Sequence, residues 1–447
     1  MHALTRTLAG AELIARTGHV IAVRGQVVES QGPAAQIGER CRIESSRSGP
    51  GIEAEVVGFN KGSTVLMPLG SLEGLSLGER VVALGRMPEV PVGSELLGRV
   101  VDAFGQPADD GGPIAFADGR AQRRSLSALP MLAMRRQRVD RPLETGVKVI
   151  DSMLSLAKGQ RIGLFSGGGI GKSTLMGMLA RGTQASVNVI ALIGERSREV
   201  REFIEDQLGT EGMKRSVVVV ATAAEPAVVR VKAAYAATTI AEYFRDQGQD
   251  VLLLMDSLTR FAMARREIGL AIGEPPTARG YTPSVFSELP QLCERSGPGV
   301  VGAGSITGVY TVLVEGDDLT EPVSDTLRAT LDGHIVLSRD IANAGQFPAV
   351  DVLNSVSRVH TTVGKPDDLA SARKLLACCA LYERNRQLIE IGAYKPGVSP
   401  TLDRAVQLMP HIRAFFSQAL GHQTVRAESL TLLRKLASSL GAGSEFQ

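Results

Sequence analysis

Hydrophobic and polar positions divide the chain into three regions with different patterns. Between residues 17 and 101, short strand-like apolar runs are separated by glycine or proline. These runs occupy residues 20–23, 54–59, 64–67 and 80–84. Short strands at this spacing predict a small N-terminal β-barrel over residues 17–101. Turn-rich sequence at residues 105–107 and 109–113 marks the exit from it.

The middle of the chain alternates continuous apolar runs with helix-compatible segments. Apolar runs cover residues 161–165, 187–193, 216–220 and 251–256, and helical segments cover residues 199–208 and 226–244. Strands that are apolar on both faces and joined by crossover helices are typical of a buried, mostly parallel sheet. This pattern predicts an α/β core, which we place at residues 102–366.

Both ends of the chain favour helix. Residues 367–447 are mostly helix-compatible and predict a C-terminal α-helical domain. In residues 1–16, Leu4, Leu8, Ala11 and Ala15 recur at helical spacing, with charged residues among them. This segment is either an amphipathic helix that docks a partner or a locally packed chain end, and the second interpretation is favoured.

Composition limits the class of protein. The 447 residues are 44% hydrophobic and 21% charged, as in ordinary globular chains, and a net charge of +2 gives no reason to expect nucleic-acid binding. The cysteines lack metal-ligand spacing and are expected as buried thiols of a cytosolic protein, with no role assigned to Cys378 or Cys379. No signal peptide or transmembrane stretch is recognisable, so any membrane role is expected to come through a partner.

The most informative segment is a glycine-rich loop between a strand-like run and a helix-compatible run. Its residues are Ser166, Gly167, Gly168, Gly169, Ile170, Gly171, Lys172, Ser173 and Thr174. Strand, glycine-rich loop, Gly-Lys-Ser and helix follow the order that cradles nucleotide phosphates. Backbone N–H groups face the phosphates, Lys172 reaches the β- and γ-phosphates, and the Ser173 hydroxyl coordinates Mg²⁺. The loop therefore predicts a nucleotide site, with serine at position 166 where the pattern asks for glycine.

Two acidic residues follow strand-like runs. Asp256 closes the run 251–256, where a carboxylate that organises Mg²⁺ belongs, although it also fits the cap of a helix starting near Leu258. Glu195 follows the run 187–193, and we expect the end of that strand to lie beside the phosphate loop. Its carboxylate then polarises the attacking water. A solvated charge in a salt bridge is the alternative for Glu195, and the pattern alone leaves both open.

Several segments resemble the α/β family of rotary-type ATPases. They cover residues 167–174, 194–199, 256–260, 273–286, 308–318 and 348–357. Residues 256–260, 267–276 and 314–318 are most similar to the branch that energises protein export, which contains the flagellar export ATPase and its injectisome relative in type III secretion. In that branch a small residue other than glycine is common at position 166, so Ser166 fits it.

The resemblance implies a RecA-like core, ATP with Mg²⁺, and a homohexameric ring with nucleotide at each subunit interface. It implies that Glu195 is the catalytic carboxylate and that Arg358 is an arginine finger for the neighbouring subunit's site. Phe347 matches the aromatic that packs against adenine, with core packing as the alternative, and Arg196 matches a position around the site.

The resemblance also implies the partners and the location. Expected partners are a regulator, a stalk protein, export chaperones and export substrates. The chain is then cytoplasmic and joins the inner-membrane export apparatus peripherally, through the export gate.

Three functions remain open at this level. The first is ATP hydrolysis that energises type III protein export, with the flagellar system favoured over the injectisome on overall similarity. The second is the catalytic β-type subunit of a rotary ATP synthase, but the C-terminal region lacks the acidic run expected there. The third is an RNA-translocating helicase, disfavoured because Phe59 is the only aromatic residue before Phe104.

Overall fold

The computed structural model describes residues 15–44, 51–116, 119, 121–314, 316 and 318–440. The predicted N-terminal segment, residues 1–16, lies outside the described residues except for its last two positions. Positions 315 and 317, in one of the segments that resemble the rotary-type ATPases, also lie outside them.

Six strands near the N-terminus form a closed barrel. They are β1 (Thr17–Arg24), β2 (Val27–Gln31), β3 (Arg40–Glu44), β4 (Ile52–Asn60), β5 (Ser63–Pro68) and β6 (Arg80–Ala83). Around the barrel the order is β1, β2, β5, β4, β3, β6, and β6 pairs back with β1. The predicted barrel is confirmed. The pattern did not predict β2 and β3, because β3 alternates charged and apolar residues over only five positions.

A mostly parallel sheet forms the core. Its strands are β8 (Val100–Val101), β12 (Arg161–Ser166), β13 (Val187–Ile193), β14 (Ser216–Ala221), β15 (Asp250–Asp256), β16 (Gly297–Pro298), β17 (Ser305–Leu313), β18 (Gly333–Leu337) and β19 (Val350–Ser357). In the described ranges the order is β19, β18, β12, β17, β15, β13, β14, β8, with β16 beside β17. Pairs are parallel except β18 with β19 and β16 with β17. The predicted α/β core is confirmed.

Two small antiparallel pairs lie outside the barrel and the core sheet. The first joins β7 (Glu89–Val92) to β9 (Gln122–Ser125), and the second joins β10 (Pro142–Leu143) to β11 (Leu156–Ala157). Both pairs lie between β6 and β12 in the chain, and neither pair extends the barrel or the core sheet.

Helices follow most core strands and form the C-terminal domain. They are α1 (Lys148–Met153), α2 (Lys172–Gly182), α3 (Ser197–Glu202), α4 (Gly209–Lys214), α5 (Ala227–Asp246), α6 (Leu258–Ala271), α7 (Pro283–Glu294), α8 (Pro322–Thr330), α9 (Arg339–Asn343), α10 (His360–Val363), α11 (Pro366–Glu390), α12 (Pro400–Phe416) and α13 (Arg426–Ser439). The helix predicted at residues 199–208 changes after α3 into a π-helical turn, Phe203–Leu208. In the part of the chain that the structure describes, no helix combines the length and apolarity needed to cross a bilayer.

Helices bury both faces of the core sheet. On one face α5 and α6 pack on the strands, with Phe244 and Phe261 in the apolar cluster. On the other face α2 and the C-terminal helices pack on the strands, with Leu375 and Ile412 in a second cluster. Because successive strand residues point to opposite faces, the continuous apolar runs of the sequence supply both clusters.

The predicted division at residue 101 does not coincide with a division between sheets. Barrel pairing ends at β6, whereas β8 pairs with β14 of the core, with Val100 opposite Val218. β8, only two residues long, is the last strand on this side of the core sheet. Its sequence alone does not indicate a strand. A buried ion pair links barrel and core, with Lys232 Nζ at 2.8 Å from Glu55 Oε1. The other domain limits stay predictions.

The four cysteines are buried and free, as expected. Burial raises the pKa of the Cys378 thiol to about 11 and that of Cys379 to about 12. A thiol reacts as its thiolate, so these neighbouring cysteines are unreactive at neutral pH. They act as small apolar side chains between the core and the C-terminal helices.

Candidate active site

The glycine-rich loop has the open backbone that a phosphate cradle needs. β12 ends at Ser166 and α2 begins at Lys172, with Gly171 before it at φ 91°. Gly169 has φ 77°, which also lies in the left-handed region that favours glycine. At Gly168 and Gly169 no heavy atom lies within 4 Å of the position a Cβ would take. The loop is therefore open to a ligand, at the positive end of an 11-residue helix.

Three charged side chains converge beside this loop. Lys172 Nζ donates a hydrogen bond to Asp256 Oδ1 at 2.5 Å and lies 3.6 Å from Glu195 Oε1. The Lys172 and Glu195 side chains are only 12% and 11% exposed. A separation of 3.6 Å is an ion pair but no hydrogen bond, and the buried Glu195 Oε1 has no hydrogen-bond partner among the described residues. Glu195 thus offers a free acceptor next to the cradle.

Glu195 reaches this position from a strand that is not a neighbour of β12. β17 and β15 lie between β12 and β13, but Glu195 Oε1 is 3.6 Å from Lys172 Nζ, so this strand end lies beside the phosphate loop as expected. Strands that come later in the chain insert between them, which local sequence does not reveal. Glu195 still reaches Lys172 because parallel strands end at the same edge and Gly194, at φ 68°, turns the chain directly after β13.

The electrostatics separate the roles of the charged groups. Burial opposes the charged form of Lys172, but Asp256 and Glu195 outweigh it and raise the pKa of the ammonium above its usual value. Burial, then the adjacent Glu199 and Asp256 carboxylates, raise the pKa of Glu195 to about 7. The pKa of Glu199 is lowered, chiefly by its interaction with Glu195, so the pKa shifts of these two neighbouring carboxyls have opposite directions. A carboxyl with a pKa near 7 suits proton transfer at neutral pH.

Asp256 does not cap the following helix. Ser257 is the cap of α6, and its side chain accepts a hydrogen bond from the Arg260 N–H. Asp256 instead accepts a 2.6 Å hydrogen bond from Thr311 Oγ1 on β17. Sequence reasoning missed Thr311, and its only signal is a hydroxyl inside the apolar run 309–314. Its contact depends on β17 pairing with β15, which is a long-range event.

The oxygen atoms at this edge fit a magnesium ion. Ser173 is exposed in the first turn of α2. Within the described ranges, both hydrogen bonds accepted by Asp256 go to Oδ1, which leaves Oδ2 available. Hydroxyl and carboxylate oxygens are ligands that Mg²⁺ takes together with substrate phosphates and water. The described part of the chain holds no cluster of three His, Cys, Asp or Glu residues suited to a metal.

Phe347 lies against the phosphate loop. Its ring Cδ1 is 3.7 Å from the position a Cβ would take at Gly171. The side chain is 44% exposed, and its carbonyl accepts a hydrogen bond from the Gln418 N–H. A half-exposed aromatic ring beside the cradle is not explained by core packing, and part of its apolar surface is open to solvent.

Arg358 lies near the amino ends of the parallel strands, whereas the phosphate loop lies at their carboxyl ends. β19 runs antiparallel to β18 and ends with Ser357 opposite Gly333, level with the start of β12. The Arg358 N–H donates to the Asp332 carbonyl, and Asp332 binds Arg161 at the first position of β12. Arg358 is exposed and its guanidinium contacts only the Arg328 carbonyl among the described residues. The structure therefore does not bring Arg358 to its own chain's Lys172.

Arg196 precedes α3, one position after Glu195. Its side chain is 83% exposed and lies 3.6 Å from Glu199 Oε1. An exposed pair of this kind contributes little to stability. Arg196 therefore lies next to Glu195 with its guanidinium open to solvent.

Comparison with known proteins agrees with this arrangement. Family models match residues 20–85 (ATP synthase alpha/beta family, beta-barrel domain), 146–357 (ATP synthase alpha/beta family, nucleotide-binding domain) and 365–435 (T3SS EscN ATPase C-terminal domain). The flagellum-specific ATP synthase of Bacillus subtilis is 50% identical over 430 residues, which cover 95% of this chain and 96% of the relative. The chain belongs to the export ATPases of the ATP synthase alpha/beta family.

Other relatives of this export ATPase come from type III secretion systems. The Type 3 secretion system ATPase of Xanthomonas euvesicatoria is 48% identical, with 96% of each chain covered. Among solved structures, the assembled ATPase EscN from the type III secretion system of enteropathogenic E. coli matches with a TM-score of 0.88 and 41% identity, covering 94% of this chain and 100% of that one. The three-part fold and the family resemblance predicted from sequence are thus confirmed.

Proposed function

We propose that this export ATPase hydrolyses ATP with Mg²⁺ at sites shared between neighbouring subunits of a homohexamer, and that it energises flagellar protein export. One observation carries the catalytic part. Lys172, Asp256 and Glu195 meet at the carboxyl edge of the sheet, while Arg358 lies exposed at the amino edge. One chain thus carries two complementary halves of a site, which combine only when subunits follow one another in a ring.

Each residue has a distinct task in this proposal. The Lys172 ammonium shifts from Asp256 to the phosphates. The Glu195 oxygen that lacks a hydrogen-bond partner among the described residues accepts the proton of the attacking water. The neighbour's Arg358 stabilises charge on the transferring phosphoryl group, an effect worth about 10³–10⁵ in rate in related enzymes. Ser173 and Asp256 would hold Mg²⁺, which would neutralise charge on the β- and γ-phosphates. The backbone of Gly167–Gly171 and the side chains of Thr174, Phe347 and Arg196 position the nucleotide.

The proposal includes partners beyond the ring. A solved structure of EscN in complex with its central stalk EscO matches this chain with a TM-score of 0.85 and 40% identity. We infer a comparable stalk here, and also a regulator, export chaperones and substrates at the cytoplasmic face of the export gate.

The flagellar system is favoured over the injectisome by the named relatives. Two flagellum-specific proteins, at 50% and 49% identity over 95% of this chain, stand beside the secretion ATPase at 48%. A role as subunit of a rotary ATP synthase is disfavoured, because the C-terminal residues 365–435 match the domain of the secretion ATPases.

Deletion of the gene, with complementation by wild-type and Lys172→Ala chains, tests the biological assignment. We expect the deletion strain to lose swimming and to retain hook and filament subunits in the cell, and only the wild-type chain to restore both. Normal swimming together with lost effector secretion would assign the chain to an injectisome instead.

A further inference from the structure

Gln418 lies in the connection between α12 and α13, and its hydrogen bonds join the C-terminal domain to the core. The residue is only 8% exposed. Its backbone N–H donates a 2.8 Å hydrogen bond to the Phe347 carbonyl. Phe347 makes no other hydrogen bond in the described ranges. The position of this half-exposed aromatic residue beside the phosphate loop is therefore tied to the position of the Gln418 backbone.

The side chain of Gln418 fixes that backbone to the core. Its amide Oε1 accepts a 2.7 Å hydrogen bond from the Lys148 N–H at the start of α1. Its Nε2 donates to the carbonyls of Gly146 and His422, each at 2.7 Å. Both donors of the amide and one acceptor site are thus used. A buried amide satisfied in this way keeps one orientation, because breaking any of these bonds leaves a buried polar group unpaired.

The turn that receives the Gln418 side chain is itself held in place. Asp151 is completely buried, and its carboxylate accepts hydrogen bonds from the N–H groups of Thr145 and Gly146 and from Thr145 Oγ1. The turn also packs against the end of α2, because a Cβ at Gly146 would come within 3.1 Å of the Gly182 Cα. Gln418 is therefore anchored on a fixed turn that contacts the helix following the phosphate loop.

These contacts form a closed chain along one side of the nucleotide site. α2 begins beside Phe347, whose ring Cδ1 lies 3.7 Å from the position a Cβ would take at Gly171. The same helix ends at Gly182, against Gly146. Gln418 joins the two ends, since it binds Gly146 through its side chain and Phe347 through its backbone. The placement of the aromatic ring relative to the phosphate loop thus depends on Gln418 as well as on α2.

We propose that Gln418 is a positioning residue for the nucleobase, which holds the Phe347 ring where a base can stack on it while the phosphates occupy the loop. This inference rests on the function proposed above, in which Phe347 contacts adenine. Gln418 acts through the aromatic ring and not on the phosphates. Loss of its side chain should therefore weaken the binding of nucleotides, and it should leave unchanged the binding of a ligand that has phosphates but no base.

Calorimetric titration of the full chain with MgADP and with magnesium tripolyphosphate tests this role. Gln418→Met keeps the side-chain length but removes its hydrogen bonds, and we expect it to weaken MgADP binding about three- to tenfold. Tripolyphosphate occupies only the phosphate loop, so its affinity should stay unchanged. Gln423→Ala, an exposed glutamine of the same connection, is the matched control and should bind both ligands as the wild type does. Equal weakening of both ligands in Gln418→Met would overturn the proposal.

A double variant shows whether Gln418 acts through Phe347. Phe347→Ala should weaken MgADP binding about tenfold. Gln418→Met/Phe347→Ala should bind MgADP no more weakly than Phe347→Ala, because the ring that Gln418 positions is already absent. Additive losses would refute the positioning role. Unchanged binding in Phe347→Ala would refute the base contact of the proposed function, whereas weakening in Phe347→Ala but not in Gln418→Met would refute this inference alone.

A further variant breaks the same anchor from the core side. Lys148 is the first residue of α1, a position where proline is favoured. Relative to Lys148→Ala, Lys148→Pro removes the N–H that donates to Gln418 Oε1. We expect Lys148→Pro to bind MgADP about two- to fivefold more weakly than Lys148→Ala, with equal tripolyphosphate affinities. Equal MgADP affinities in these two variants would show that the amide anchor does not position the ring.

Discussion

Catalysis between subunits makes a quantitative prediction for mixtures of two inactive chains. Arg358→Ala removes the group at the amino edge of the sheet, and Glu195→Gln removes the acceptor at the carboxyl edge. Each variant alone should lose about 10³-fold or more in hydrolysis, because every site in its ring lacks one of the two groups. In a mixture, a site is complete when an Arg358→Ala subunit receives Arg358 from a Glu195→Gln neighbour.

The expected recovery follows from the geometry. Arg358 is level with Arg161, and the six residues of β12 at about 3.3 Å each separate that level from the loop by roughly 17–20 Å. An arginine side chain does not span that distance, so Arg358 acts only on a neighbour. In a randomly assembled equal mixture, about one half of the subunits retain Glu195, and about one half of their neighbours retain Arg358. About one quarter of the sites are therefore complete.

A single-turnover assay measures this fraction directly. Mixed chains are assembled, loaded with substoichiometric radiolabelled ATP, and quenched, so that no site depends on turnover at the next one. The fast ADP-forming phase should have about a quarter of the wild-type amplitude and vanish in each variant alone. The double variant Arg358→Ala/Glu195→Gln mixed with Glu195→Gln is the control and should show no fast phase. If the equal mixture of single variants gives none either, Arg358 does not act between subunits.

Three further predictions follow from other contacts. Because Glu195 must lose its proton to act and its pKa is raised to about 7, kcat/KM should rise with pH through about 7 and level off above it. Glu199→Gln removes the second-largest cause of the raised Glu195 pKa and should move that inflection to lower pH. An unmoved inflection would assign it to another group. Phe347→Ala should raise the KM for MgATP about tenfold with little change in kcat, whereas the exposed barrel aromatic in Phe59→Ala should leave both unchanged. Arg295 is 2% exposed and binds both oxygens of Glu242, so Arg295→Met leaves the Glu242 charge unpaired and should destabilise the protein by about 3–5 kcal/mol in urea unfolding. The double variant Arg295→Met/Glu242→Leu should recover most of that loss. A double variant as unstable as the single one would contradict the explanation by an unpaired charge.

Local pattern was sufficient for much of the fold. The barrel, the alternation of strands and helices, and the helical C-terminus follow from periodicity and turn residues, which act over a few positions. The strands β17, β18 and β19 and the two-residue β8 were not predicted from pattern. β8 is too short to carry a periodic signal, and its place depends on pairing with β14.

The candidate site was predicted in part. Lys172 and Asp256 were assigned to one site because the phosphate loop follows one apolar run, Asp256 closes another, and parallel strands end on the same side of a sheet. Glu195 was expected beside the phosphate loop and lies next to Lys172, although two strands separate β13 from β12. Thr311 was missed because nothing near it in sequence indicates Asp256.

The amino-acid sequence by itself determined the phosphate loop, because glycine at left-handed positions, a lysine and a hydroxyl act within nine adjacent residues. Only the tertiary structure decided how that loop is completed. Strand order and register depend on pairing between residues far apart in the chain, and these placed Thr311 against Asp256 and Arg358 at the far edge of the sheet.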